Sequence, residues 1–371
     1  MIPAFEVAQL IRQEAHHLPK IIHNSWKRRT LYALAKCRTS AMGGHIDRCD
    51  NPKCNKLHLS YNSCRNRHCP KCQGHLQQKW VQEREKDLLN TSYFHTVFTL
   101  PDKLNGLALE QPRLLYALLF KTTWQVVKGF AANPKLMGAH NGMIAVLHTW
   151  GQNLSLHPHL HCIIPSGGLT RSQKWKEGKG KGKYLFPVKA MSKVFRAKMV
   201  AALRKEELLT KQEGQLLFKK NWVIYCKQPF YGPAQVVEYL GRYTHKVAFS
   251  NPRLIDVDKE GVSFSAKDYR KGGKKHVVTL KPKEFIRRFA MHILPKGFTR
   301  IRHFGILSGG CKKEYKAIID AQIGKLEILI LAFAGPYLGI CPTCRKGRLQ
   351  TVAVFDQRGP PNHWLKKLQT L

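Results

Sequence analysis

The sequence predicts an α+β protein with a small metal-stapled module toward its N-terminal end. Three observations carry this reading. Six of the eleven cysteines fall between Cys37 and Cys72, in a stretch with little hydrophobic periodicity and many turn formers. From Tyr93 onward, strand-like apolar runs alternate with helix-length segments, the mixture expected of an α+β domain. Hydrophobic residues make up 43% of the 371, with seven Trp and seventeen Phe, enough to fill the cores of two or three packed units.

Taken in order, residues 1–35 form an N-terminal arm. Phe5, Leu10, Ile11, Ile21, Ile22, Leu31 and Leu34 recur at mixed helical spacing between basic residues and predict one or two helices. Residues 36–90 are the metal module, closed by a charged helical run from Leu76 to Leu89. Residues 91–305 begin with the run FHTVFTL, continue with a helix over Gln111 to Phe130, and reach two strand-like runs, MIAVLHTW and LHCIIP. KWKEGKGKGK, Lys174 to Lys183, reads as a flexible loop suited to backbone phosphates or simply as a solvated hairpin tip. FRAKMVAALRKEELL follows as an amphipathic helix and NWVIYC as a strand; a second helix opens at Gly232-Pro233 and runs through VVEYLGRYTHKVA. Residues 306–371 are a basic extension bearing the pair Cys341 and Cys344.

Charge narrows the function. The chain has 63 Lys and Arg against 23 Asp and Glu, a formal net charge of +40. Nucleic acid is the usual partner of so positive a surface, because each phosphate neutralised releases a condensed counterion. No segment reaches the roughly 20 apolar residues of a membrane span. The N-terminus lacks the order of a signal peptide. An intracellular, reducing location is therefore expected, and there the cysteines are metal ligands or buried thiols rather than disulfides.

Four residues separate Cys49 from Cys54 and two separate Cys69 from Cys72, with fourteen between the pairs. That spacing is close to a zinc ribbon and predicts one tetrahedral four-thiolate zinc, with reduced structural cysteines as the alternative. Cys37, His45, Cys64 and His68 interleave with this set and form a candidate second, cross-braced zinc. Cys341 and Cys344 have only Cys311 nearby, and are left as half a site.

In LSLHPHLHCII, His157, His159 and His161 alternate, so a strand projects all three from one face toward a divalent metal or toward structural hydrogen bonds. Tyr239 and Tyr243 are four apart in the expected helix and share a face. A phenol oxygen can attack a phosphodiester and hold the cut strand as a phosphotyrosine; packing is the alternative role of such a pair.

His159-Leu160-His161 resembles the histidine-hydrophobic-histidine motif of the HUH endonuclease superfamily, and Tyr239-Leu-Gly-Arg-Tyr243 resembles the two-tyrosine motif of its rolling-circle transposases, the insertion sequence 91 family. YNSCRNRHCPKC is similar to that family's zinc-binding domain, and HTVFTLP, WGQNLSLHPHLHC and EFIRRFAMHILPKGFTRIRHFG extend the likeness over about Lys36 to Gly305. The resemblance implies an antiparallel-sheet core with flanking helices, the histidines on a central strand and the tyrosines on a facing helix. It implies Mg²⁺ or Mn²⁺, and cleavage of single-stranded element ends and target to give a 5′-phosphotyrosine. A third polar ligand is expected: Gln152, with His148 and His157 as competitors. Arg65, Arg67, Arg242, Lys246, Arg287, Arg288, Arg300 and Arg302 are the candidate DNA contacts. No P-loop is present, so strand separation falls to a host helicase or to transient opening. A bacterial, cytoplasmic, nucleoid-associated transposase is thus expected; a plasmid or phage replication initiator and a non-catalytic zinc-finger regulator are the alternatives.

Overall fold

The computed structural model describes residues 4–72, 86–230, 247–268, 272–326 and 339–369. Its strands, in chain order, are β1 (Gly44–Cys49), β2 (Leu57–Tyr61), β3 (Tyr93–Thr99), β4 (Gly142–Trp150), β5 (Leu156–Pro165), β6 (Gly167–Leu169), β7 (Trp175–Glu177), β8 (Ile224–Phe230), β9 (Leu254–Val257), β10 (Val262–Asp268), β11 (Lys274–Leu280), β12 (Ile301–Gly305) and β13 (Leu349–Phe355). The chain divides into two compact units, one made of residues 1–76, 249–290 and 329–371, the other of residues 77–248 and 291–328.

The second unit is built on a five-stranded sheet, ordered β12-β4-β5-β3-β8, in which every neighbouring pair is antiparallel. The period of two along a strand sorts its residues. Leu160, Cys162 and Ile164 of β5 join Met143, Ala145 and Leu147 of β4 and Phe94 and Phe98 of β3 in one core cluster. Against them lie Leu115, Leu119, Phe120 and Val127 of the helix Pro112–Ala132, and Phe195, Met199 and Leu203 of the helix Val188–Lys205. Pro112 sits in the first turn, where its missing N–H costs nothing. The alternate residues, Ile163 of β5, Ile144 of β4 and Tyr93 of β3, go to a second cluster with Leu88, Leu89, Ile306 and Ile319. The histidines of β3, β4 and β5 share this register, so they lie on the face opposite the two helices.

The first unit is held by two three-stranded antiparallel sheets, β13-β1-β2 and β11-β10-β9. The N-terminal segment supplies the helices Val7–Gln13 and Ser25–Ala35, the latter capped by Asn24. Phe249, Phe264 and Phe285 meet edge to face at ring separations of 5.0 to 5.8 Å, with the Arg253 guanidinium over Phe249 and Phe264. The Val7 N–H donates to Asn251 Oδ1 at 3.2 Å, tying this triangle to the first helix.

The α+β class and the antiparallel sheet are as the sequence predicts, and so are the strands and helices at the expected places in residues 93–227. The successive domains expected at 36, 91 and 306 are replaced by units discontinuous in sequence. Residues 249–290 group with the N-terminal segment rather than with the sheet that precedes them, and residues 306–328 group with the sheet. Strand pairing shows the long-range character of the first unit: β13 pairs with β1 through six residue partners, from Gly44↔Phe355 to Cys49↔Leu349, the last two 300 positions apart. The expected helix from Gly232, and with it Tyr239, Arg242, Tyr243 and Lys246, lies outside the described residues, as does most of the run from Leu76 to Leu89.

Candidate active site and metal centres

The register of β4 against β5 sets His148 directly opposite His159, and Val146 opposite His161. Ring nitrogens of His148, His159 and His161 lie within 4.8 Å of one another. His148 and His159 are buried, His161 half-buried. The Nε2 atoms of His159 and His161 are 3.2 Å apart, the separation of two nitrogens each about 2.1 Å from one ion.

Neighbouring groups orient these rings. The His159 Nδ1–H donates to the carbonyl of His157 at 2.6 Å, since a carbonyl only accepts. Its Nε2 therefore carries the lone pair. On the other side, His161 Nδ1 is 2.9 Å from Nε2 of His95, which β3 places beside β5. His95 is buried, and desolvation first, then Lys227 and His159, pushes its pKa down to about 3, so it is neutral at ordinary pH. Trp150 stacks on His148 at 4.5 Å, and the Arg300 guanidinium lies 5.1 Å from the Trp150 ring.

His157 is exposed and contributes its carbonyl, not its ring, to the arrangement. Gln152 is half-buried in the turn joining β4 to β5. Sequence reasoning gave His95 no role in the site, although the alternation that groups the β5 histidines could have flagged it once β3 and β5 were paired.

The cysteines are grouped differently from the spacing-based expectation. Cys37, Cys64, Cys69 and Cys72 form one cluster and Cys49, Cys54, Cys341 and Cys344 another, each with its sulfurs within 4.8 Å. The predicted set of Cys49, Cys54, Cys69 and Cys72 is thereby corrected: its two pairs belong to different clusters. In the first cluster Cys37 Sγ is 3.5 Å from Cys72 and 3.6 Å from Cys69, and Cys64 is 3.7 Å from Cys72. A tetrahedron with Zn–S near 2.3 Å has edges of about 3.8 Å, so the cluster fits zinc. His45 instead lies 3.3 Å from Asp47, and neither it nor His68 joins either cluster. Pairing by nearness in sequence failed because Cys37 comes from the end of the helix Ser25–Ala35, and the partners of Cys49 come from the far end of the chain.

Of the arginines expected on DNA, Arg65 is exposed and Arg67 half-buried beside the first cluster. Arg287 and Arg288 both hold Glu284, at 2.6 and 2.7 Å. Arg300 donates to the Leu147 carbonyl at 3.0 Å, and Arg302 lies 4.4 Å from the Phe120 ring, where burial lowers its pKa. No helix among the described residues is long and apolar enough to cross a membrane.

An antiparallel sheet with a cluster of imidazoles on one face, joined in one strongly basic chain to thiolate clusters, defines a zinc-binding protein that acts on nucleic acid. Known proteins narrow the class. Residues 142–315 match the family Y2_Tnp, described as "Putative transposase", and residues 9–100 match the family described as "Transposase zinc-binding domain". The chain is 38% identical to "Putative transposase y4qJ" of Sinorhizobium fredii, covering 97% of this chain and 98% of the relative. It is 27% identical to "Transposase for insertion sequence element IS801" of Pseudomonas savastanoi, covering 88% and 83%. No solved structure matches. The chain belongs to the IS91 family of transposases, and DNA is its partner.

Proposed function

We propose that the chain is an HUH-type nicking transposase that cuts and rejoins single-stranded DNA through a 5′-phosphotyrosine, in rolling-circle transposition of its element. The observation that carries this is the trio His148, His159 and His161, whose ring nitrogens lie within 4.8 Å of one another on the adjacent strands β4 and β5. These three residues would hold the divalent cation, His148 taking the place expected of Gln152. A donor set of imidazoles alone favours Mn²⁺ over Mg²⁺, which prefers oxygen. When bound, the ion polarises the scissile phosphate and offsets the charge on its oxygens.

The chain's own groups do the rest. Tyr239 or Tyr243 gives up its phenol proton as its oxygen bonds to phosphorus, the P–O3′ bond breaks, and the departing 3′-oxygen takes up a proton in exchange, so the phosphodiester energy is kept in the phosphotyrosine for the later transfer. Two tyrosines suit a reaction with two cleavages, one at each end. Arg300, whose guanidinium lies over Trp150 beside His148, would meet a strand phosphate, and a host helicase would supply the separated strand.

The test is a strand-cleavage assay on labelled single-stranded element ends with Mn²⁺. A covalent protein–DNA adduct is expected, lost in the double variant Tyr239→Phe, Tyr243→Phe and reduced at least about 100-fold in His161→Ala. An adduct that survives both tyrosine substitutions, or cleavage indifferent to His161→Ala, overturns the mechanism.

A further inference from the structure

The C-terminal segment presents a packing problem. Among described residues 339–369, only Cys341, Gly347 and Phe355 are buried. β13 is bonded to β1 on one edge, and its Val352 and Val354 are exposed. A segment with so little apolar burial gains little from the hydrophobic effect to offset its ordering. Yet it reaches back across nearly the whole chain to one place in the N-terminal module, where two of its sulfurs meet two others.

Cys49 closes β1, and Cys54 follows in the turn before β2, its N–H bonded to the Asn51 carbonyl at 2.9 Å. Cys344 Sγ lies 3.6 Å from Cys49 and Cys341 Sγ 3.8 Å from Cys54. These are the edges of a zinc tetrathiolate, and all four cysteines are free rather than disulfide-bonded. The surrounding donors are those a thiolate needs. The Gly347 N–H points at Cys344 Sγ at 3.3 Å, Asn51 Nδ2 lies 3.8 Å from the same sulfur, and His58 Nε2 lies 3.3 Å from Cys341 Sγ. Gly347 is required by the same turn: a Cβ there would strike Cys49 Sγ. Next to it, the Asp50 N–H donates to the Arg348 carbonyl at 2.9 Å and the Arg348 N–H donates to Asp50 Oδ1 at 2.6 Å.

We infer that Cys49, Cys54, Cys341 and Cys344 bind a second structural zinc, a clip that fastens the C-terminal segment to the N-terminal module. It stands apart from the cluster of Cys37, Cys64, Cys69 and Cys72, and is independent of the transposition mechanism. Neither half has four ligands alone, so the clip closes only once the chain has been made to residue 344 and its last strand has paired with β1. Binding replaces each thiol proton with a zinc–sulfur bond, and closing the site releases the protons to solvent without any redox change.

The test uses the full-length, zinc-loaded protein. Elemental analysis should find one zinc fewer per chain in the double variant Cys341→Ser, Cys344→Ser than in the unaltered chain. Alkylation is read by peptide mass at Cys54 and Cys344, both half-exposed, so that burial alone does not shield them. In the unaltered chain both should resist alkylation while zinc is bound and become reactive together when a chelator is added. Equal zinc content in the two proteins overturns the inference. So does free-thiol reactivity of Cys344 in the zinc-loaded chain, a reading that holds even if the serine variant fails to fold.

Discussion

A single imidazole governs which lone pair His161 presents. With a cation at Nε2, the His161 proton must sit on Nδ1, and the only way to bond it to His95, 2.9 Å away, is for His95 Nε2 to accept. A protonated His95 has no lone pair left, and burial is what keeps it neutral, with its pKa pushed down to about 3. Under the proposed metal reading, His95 would be a positioning residue for His161. His95→Phe, which keeps the ring and removes the acceptor, should weaken Mn²⁺ binding by about 10- to 100-fold; His95→Gln, which still offers an acceptor, should lose less. Titration of free Mn²⁺ by electron paramagnetic resonance reads both, and wild-type affinity in His95→Phe would remove the proposed role. At this scale the sequence exposed the alternating His157, His159 and His161, offered His148 only as a competitor to Gln152, and gave His95 no role, because the proximity of His148 and His95 to this strand is a matter of register across β4 and β3 and leaves no local spacing to read.

Elements show the same division between local and long-range information. β3, β4, β5 and the helix Pro112–Ala132 were legible because apolar periodicity is local. The pairing of β13 with β1, and the grouping of residues 249–290 with the N-terminal segment, depend on partners hundreds of residues away. That is why spacing alone joins Cys49 and Cys54 to Cys69 and Cys72, whereas the fold puts the two pairs in different sulfur clusters. In the helix Pro282–Met291, Glu284 lies in the first turn and takes Arg287 and Arg288 at the following three and four positions. These two, Arg287 foremost, hold the Glu284 carboxyl down to about 2 from its ordinary 4.5. Between those values the unfolded chain binds more protons than the folded one, so this contribution is complete above about pH 4.5 and is lost as pH falls through 2. Glu284 is 31% exposed, and solvent screening reduces its worth to about 1 kcal/mol. Glu284→Gln should cost about that much at pH 7 and almost nothing near pH 2 in denaturant titrations. A cost that stays constant with pH would show that the carboxylate charge is not what holds the turn.

Over the whole molecule, a formal net charge of +40 is the feature that sequence reveals most directly, and fold least. Not all of that charge is equally available to DNA. Arg287 and Arg288 are engaged with Glu284, and Arg302 packs over Phe120. Even so, 63 basic residues against 23 acidic ones leave most cations without an acidic counterpart. If the strand follows a track of such cations, binding should be dominated by counterion release and fall steeply with salt. A footprint of six to ten phosphates predicts a loss of about 10³ to 10⁵ in affinity between 50 and 200 mM salt. Fluorescence anisotropy on a labelled single strand measures the slope directly. Replacing one exposed contact such as Arg65 should then lower affinity about equally for all sequences and reduce the slope by about one. A shallow slope in the intact protein would mean that DNA is held by a few specific contacts, and that the excess charge serves something other than strand binding.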